Sequence, residues 1–420
     1  MIWFLGAAGL GVTPLGAQRT PSAADSARIA SDSLAARLRR AEQAIAVLQQ
    51  QVADQASAGV STRSRMQLEL NGSVLMHAFR NDGRVNNADD PQFALISATA
   101  PGTPVALTVR QTRLGAVLTA SDVLGGHFVG DVDVDFFGGQ QPSSGGRTFP
   151  LLRLRTARST VKWTHGELLV GQEMPLVSGL NPVSPAAIGT PAFAAAGNLW
   201  LWLPQVRATI QSAGDISLGI QGAMLANING DAVGLFDTDV DPAERSGRPA
   251  FESRVRARFG GEDMPSEIGC GAHVGWLTTP SNPSARTHAF ACDAKLTLGP
   301  RADLQGEAFT GRGLRGLGGG GIGQNVGASL APLDDKGGWA QLNVDLSTTA
   351  RGGAGCGTDM PRELDVPAGG RLRNQACAGY AMVRPSGPLV FGAEIRRIST
   401  KYAAGSATNY HINFSAGFEF

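Results

Sequence analysis

The side chains in this sequence best placed to do chemistry are arginines and aspartates set at every second position. Arg254, Arg256 and Arg258 alternate with Val255, Ala257 and Phe259, and Arg153 and Arg155 with Leu152 and Leu154. Asp131, Asp133 and Asp135 alternate with Val132, Val134 and Phe136. A guanidinium is planar and permanently charged, and it holds two oxygens of a carboxylate or phosphate at once. Several such groups along one path select anions while letting each one leave. The expected arrangement brings Arg113, Arg153, Arg155, Arg207, Arg254, Arg256 and Arg258 together as the lining of a constriction, with Asp131, Asp133 and Asp135 across from them. A competing reading has the same arginines pair with those acids and pack a wall.

No catalytic signature competes with this. The glycine-rich run Gly318–Gly323 lacks the Gly-Lys-Ser/Thr ending of a phosphate-binding loop. Neither a His-Glu-x-x-His nor a paired-cysteine motif points to a metal, and the six histidines are scattered. The expectation is therefore no enzyme, no catalytic residue, no metal and no cofactor. A net charge of +1 and the lack of basic runs interleaved with aromatics argue against a nucleic-acid partner.

The elements that would position these side chains are strands. Residues 409–420 (NYHINFSAGFEF) place Tyr410, Ile412, Phe414, Ala416, Phe418 and Phe420 on one face, and His411, Asn413, Ser415, Gly417 and Glu419 on the other. Such alternation fits a strand between apolar surroundings and water, and its length suits a tilted membrane crossing. No stretch approaches the ~18 apolar residues of a transmembrane helix, so any crossing must use strands. Similar segments recur at 66–79, 105–119, 126–136, 151–163, 166–173, 199–211, 215–225 and 250–260. They continue at 267–278, 287–298, 301–311, 338–346, 352–358, 376–384, 388–399 and 409–420. This predicts an all-β transmembrane barrel of about sixteen antiparallel strands over 66–420, with fourteen or eighteen as alternatives. Short turns lie at one end and long loops at the other, and the apolar loop 174–199 is expected to fold inward. Charges point to the lumen because Arg or Lys facing lipid costs about 2–4 kcal/mol at the midplane. In 151–162 the alternation breaks around Arg158, which suggests a bulge.

The N-terminus reads as an export signal over 1–17, although no Lys or Arg follows Met1, which leaves the true translation start open. Residues 25–55 then set Leu34, Ala41 and Leu48 at one heptad position and Ser31, Leu38, Ile45 and Val52 at the other. This predicts a self-associating helix, with a solitary amphipathic helix packed on the barrel as the alternative, followed by a linker over 56–65. Export makes disulfides possible. Cys356 and Cys377 would tie the base of the loop between their strands, and Cys270 and Cys292 would pair across a hairpin. The alternative for the latter is two small lipid-facing residues.

The chain also resembles the DcaP-like trimeric porins. The blocks are RQTRLG (110–115), GDVDVDFFGG (130–139), LRLRTA (152–157), LLVGQEMPL (168–176) and PQVRAT (204–209). Others are GEAFTG (306–311), GGGGIGQNV (318–326), GGWAQL (337–342) and FGAEIRRISTKY (391–402). Glu173-Met174-Pro175 departs from the polar and aromatic residues usual there. The resemblance implies a homotrimer in the bacterial outer membrane, with a periplasmic coiled coil and a sixteen-stranded barrel. It further implies passage of small anionic solutes, dicarboxylates among them, through an arginine-lined constriction. The partners expected are those solutes, outer-membrane lipid, and the barrel-assembly machinery through the C-terminal strand. The other function considered is a structural or adhesive barrel with a blocked lumen.

Overall fold

The computed structural model describes residues 60–61, 66–96, 102–138, 150–228, 240–261 and 264–420. The expected signal (1–17), the helix (25–55) and all of the linker but Val60 and Ser61 lie outside the described residues. Sixteen long strands form the wall, besides the short strands Val60–Ser61 and Ala106–Thr108 that pair with the first of them. The first eight are β1 (Gln67–Asn81), β2 (Arg113–Val123), β3 (Gly126–Gly138), β4 (Leu151–Lys162), β5 (Gly166–Glu173), β6 (Leu203–Gln211), β7 (Ser217–Leu225) and β8 (Ala250–Phe259). The rest are β9 (Ser266–Thr279), β10 (Asn282–Gly299), β11 (Ala302–Arg312), β12 (Asp334–Asp345), β13 (Ala350–Pro361), β14 (Arg371–Val383), β15 (Leu389–Tyr402) and β16 (Gly405–Glu419). Each pairs antiparallel with its sequence neighbour, and β16 pairs with β1 to close the barrel. The terminal Phe420 completes this seam, its N–H and C=O bonding both ways with Gly72 at 3.0 and 2.9 Å.

Period-two burial holds across the wall. In β16, Asn409, His411, Asn413 and Ser415 are buried while Tyr410, Ile412, Phe414 and Phe418 are exposed on the outside. In β8, Glu252 and Arg254 point in, and Phe251 and Val255 point out. An edgeless sheet satisfies all its backbone groups, which a barrel facing lipid requires.

Two hairpins run further than the alternation suggests. β9 and β10 continue to a turn at Pro280-Ser281, and β15 and β16 to Ala403-Ala404, so the expected breaks at 279–286 and 400–408 are mostly strand. Where both faces of a hairpin see water, pairing needs no apolar alternation, and polar residues such as Asn282 and Ser284 hide the strand.

The two cysteine pairs form disulfides, Cys270–Cys292 and Cys356–Cys377. Each joins directly opposed residues of adjacent strands. Cys356 sits mid-strand in β13 and both it and Cys377 face outward, so this bridge staples the wall and not the base of the following loop.

The bulge lies on β4 at Arg155, three residues before the place suggested by the alternation. Thr156 opposes Asp133 and Leu154 opposes the next residue, Val134, leaving Arg155 unpaired. On the other side of β4, Gly171 of β5 has φ +140° and lies so close to the Ala157 carbonyl oxygen that a Cβ would collide with it. Gly171→Ala should cost about 1–3 kcal/mol of stability, read as a lower urea midpoint in refolding titrations; an unchanged midpoint would contradict this packing.

Candidate functional site

The loop 174–202 folds inside the barrel and is mostly buried. Its apolar residues enter two clusters against the wall. Leu176, Val177 and Leu199 pack with Phe309 and Leu314, and Ala192, Phe193 and Ala196 pack with Trp339 and Ile398. Gly197 (φ +99°) lies against the Gly338 backbone, where a side chain would not fit.

The peptide groups that the loop carries inside are answered by wall side chains. Gln111, just before β2, donates to the Ala186 carbonyl (2.9 Å) and accepts from the Ile188 N–H (2.7 Å). On β11, Glu307 accepts from Ser178 Oγ (2.9 Å) and the Leu199 N–H (3.2 Å). On β12, Gln341 accepts from the Val183 N–H (2.7 Å) and donates to its carbonyl (2.8 Å). Glu394 on β15 takes the Ser184 hydroxyl, and Asn374 on β14 donates to the Ala195 carbonyl (2.7 Å). On β8, Glu252 accepts from the Leu176 N–H.

Along β2 to β4 the arginines and aspartates interlock. Arg113 binds Asp133 (2.5 Å), Arg153 binds Asp135 (2.6 Å), and Arg155 binds both Asp133 (3.0 Å) and Asp135 (2.8 Å). The three aspartates therefore sit beside the arginines, on neighbouring strands, and not across the pore from them. Arg155 also stacks on Trp202, 4.4 Å from its ring centre. The bulge shifts the parity of β4 so that Arg158 also points inward, bridging Asp131 (2.8 Å) and Glu173. Arg158, Glu173 and Trp202 were not among the expected site residues; the break at Arg158 and the departure at Glu173-Met174-Pro175 were the available signals.

The second basic wall behaves differently. Arg254 is buried against Asp293 (2.8 Å) and Glu267 (3.3 Å), and Arg258 also binds Glu267 (2.5 Å). Arg207 bonds only Gln205 Oε1 (3.1 Å) and the Met174 carbonyl. Arg256 bonds Gln211 Oε1 (3.1 Å). Among the described residues neither forms an ion pair. Both line a cavity of about 290 Å³ together with Arg254, Arg258 and Lys295, the acids Glu173 and Glu267, and loop residues between Met174 and Leu180. A second cavity of about 660 Å³ is lined by Arg113, Asp131, Asp133, Arg155, Arg158 and loop residues 181–184. Six of the seven arginines thus divide between two cavities, Arg153 lining neither, and five of the seven are committed to carboxylates.

The loop also rests on the preceding one. Asp90, fully buried, accepts the Thr190 N–H at 2.9 Å and lies 3.5 Å from Arg396. Burial pushes its carboxyl up to about 7, helped by Asp89, while Arg396, Thr190 and Arg110 oppose the rise without cancelling it. A raised carboxyl pKa means that ionisation is disfavoured in the folded state. Its contribution is intact below an unfolded-state value of about 4 and is lost as pH rises through about 7. Exchange of the Thr190 amide should accordingly quicken between these limits beyond its intrinsic pH dependence, and Asp90→Asn should remove that excess. An equal excess in the variant would exclude Asp90 as its source.

No protein-family model and no curated protein matches the sequence. Solved structures do match it. The outer membrane channel DcaP of Acinetobacter baumannii superposes with a TM-score of 0.67 at 16% identity, covering 86% of this chain and 100% of that one. An anion-selective porin from Comamonas acidovorans gives 0.55 at 11% identity, covering 84% and 100%. The in-vitro folded trimer form of OmpT, an outer membrane protein of Vibrio cholerae, gives 0.50 at 9% identity, covering 84% and 99%. The chain, a closed sixteen-stranded barrel, shares its fold with these outer-membrane proteins, DcaP included, as the sequence resemblance implies.

Proposed function

We propose that this chain is an outer-membrane porin through which small hydrophilic solutes diffuse, with a preference for anions such as dicarboxylates. The observation that carries the preference is the pair Arg207 and Arg256, which form no ion pair among the described residues. With Lys295 they face a cavity whose two acids, Glu173 and Glu267, are already held by Arg158, Arg254 and Arg258. Two guanidiniums free to exchange partners give a dicarboxylate two transient footholds. The low-dielectric wall focuses their field on the water inside. The paired arginines on β2 to β4 contribute little net field, because each has a carboxylate alongside. The fold shared with a porin described as anion-selective supports the same reading.

We extend the proposal to the assembly. The fold shared with an OmpT trimer supports a homotrimer, and the heptads of 25–55 supply a periplasmic element to hold it. The exposed Phe420 at the closing seam suits recognition by the barrel-assembly machinery.

One observation favours the blocked-lumen alternative. The loop is tied to β8, β11, β12, β14 and β15 as well as to Gln111, so its bonds reach most of the circumference. Planar-bilayer recordings separate the two readings. In a KCl gradient at low ionic strength the native protein should conduct with a reversal potential on the anion side. Arg207→Gln with Arg256→Gln should reduce that preference several-fold at unchanged conductance order, most strongly at low salt, where screening is weakest. A conducting native channel without anion preference would reject the arginine reading. A silent native protein that conducts after Gln341→Ala would establish the blocked barrel.

A further inference from the structure

The outward faces of β10 to β15 carry cations where a lipid-facing wall should be apolar. Lower on this sector the exposed residues are Leu304, Leu342, Ile395 and Phe391. Toward the loop end they become His288, Lys336, Arg373 and Lys401. Their orientation follows from the strand period, because the alternate residues Asp335, Asn374 and Thr400 are buried inside. Register aligns them side by side. Phe290 opposes Thr310, Thr310 opposes Lys336, Lys336 opposes Met360, and Arg373 opposes Lys401. With Arg362 from the next loop they line an external groove of about 670 Å³.

The charge of this groove is unbalanced. Lys336, Arg362, Arg373 and Lys401 meet two outward-facing acids, Asp334 and Glu363. Arg362 shares Asp334 with Arg312 at 3.6 Å each, and Lys401 holds Glu363 at 2.8 Å. Among the described residues, Lys336 and Arg373 form no ion pair. Phe290, Met360 and Leu372 give the same groove an apolar side. Cations on an outward barrel face cost least near the membrane interface. Their neutralisation calls for an anion that is itself anchored there. Phosphate suits them, since Arg offers it a bidentate fork and Lys a compact charge.

We propose that this groove binds a phosphorylated glycolipid of the lipid A type in the outer leaflet, with its phosphate between Lys336 and Arg373 and its acyl chains against Phe290, Met360 and Leu372. The proposal rests on the outer-membrane reading above but not on what the lumen conducts. The test uses the full chain purified in detergent, titrated with fluorescent diphosphorylated lipid A, with its fully dephosphorylated form, and with inorganic phosphate. Saturable binding of the diphosphorylated form is expected, weakened about tenfold or more by dephosphorylation. A similar loss is expected in Lys336→Gln with Arg373→Gln, whose reversal potential in the bilayer should stay native. Equal binding of the dephosphorylated lipid by native protein would overturn the proposal without recourse to any variant. Inorganic phosphate binding as tightly as the glycolipid would reassign the groove to free anions and overturn it too. Undiminished lipid binding by a folded double variant would do the same.

Discussion

A loop that runs through the inside of a barrel takes its peptide N–H and C=O groups out of bulk water, and each must find a partner or cost about 1–3 kcal/mol. The interior of this molecule is organised around that constraint. Gln111, Glu307, Gln341, Asn374 and Glu394 are inward polar residues spaced around the wall, and each is bonded to the loop 174–202. Four of these anchors stand in the sequence blocks on which the porin resemblance rests, RQTRLG, GEAFTG, GGWAQL and FGAEIRRISTKY. Those blocks describe a way of holding a loop more than a way of binding a solute.

The same constraint sorts the arginines. A buried guanidinium that loses its carboxylate leaves an uncompensated charge, at a cost of about 3–5 kcal/mol. Arg155 and Arg254, the most enclosed of the seven, are also among those with two carboxylates each. Arg207 and Arg256 are inside the lumen yet satisfied by amide and backbone oxygens alone. An arginine held this way is positioned without being neutralised, so it can present its charge to a passing ion. On the proposed reading, lumen position alone therefore does not qualify an arginine for an anion path; the identity of its first partner does.

Much of the fold was legible because lipid and water impose a strict period of two. The barrel, a count of about sixteen strands and the inward faces of β8 and β16 follow from that alternation, although fourteen or eighteen strands fitted it too and the expected strand 105–119 is broken between Thr108 and Arg113. Legibility ended where the imposing medium ended: the polar extensions 282–286 and 403–408 pair above any apolar layer and carry no pattern. The site was less legible for a geometric reason. The bulge at Arg155 turns Arg158 from the outside to the inside, and a parity change has no compositional mark beyond a break in rhythm. The pairing of Asp131, Asp133 and Asp135 with adjacent arginines depends on register between strands, which no single strand encodes. The roles of Gln111 and Gln341 depend on a loop arriving from far along the chain, so in sequence they look like any other lumen-facing amide.

The manner of the loop's attachment limits how it can move. Each neutral bond of the clamp contributes only about 0.5–1.5 kcal/mol net, which taken singly would allow easy detachment. The bonds are not independent, however, since freeing Val183 from Gln341 strips the part-buried Val183 N–H and C=O of their partner at once and leaves the Gln341 amide with Gln305 alone. The apolar residues between anchors, Leu176 and Val177 on one side and Ala192 and Phe193 on the other, would be exposed together with them. Loss of one anchor is penalised until several are lost and water can enter to replace them. The loop is therefore held as a unit, so on the proposed porin reading selectivity rests with fixed side chains such as Arg207 and Arg256 and not with a loop that adjusts to each solute.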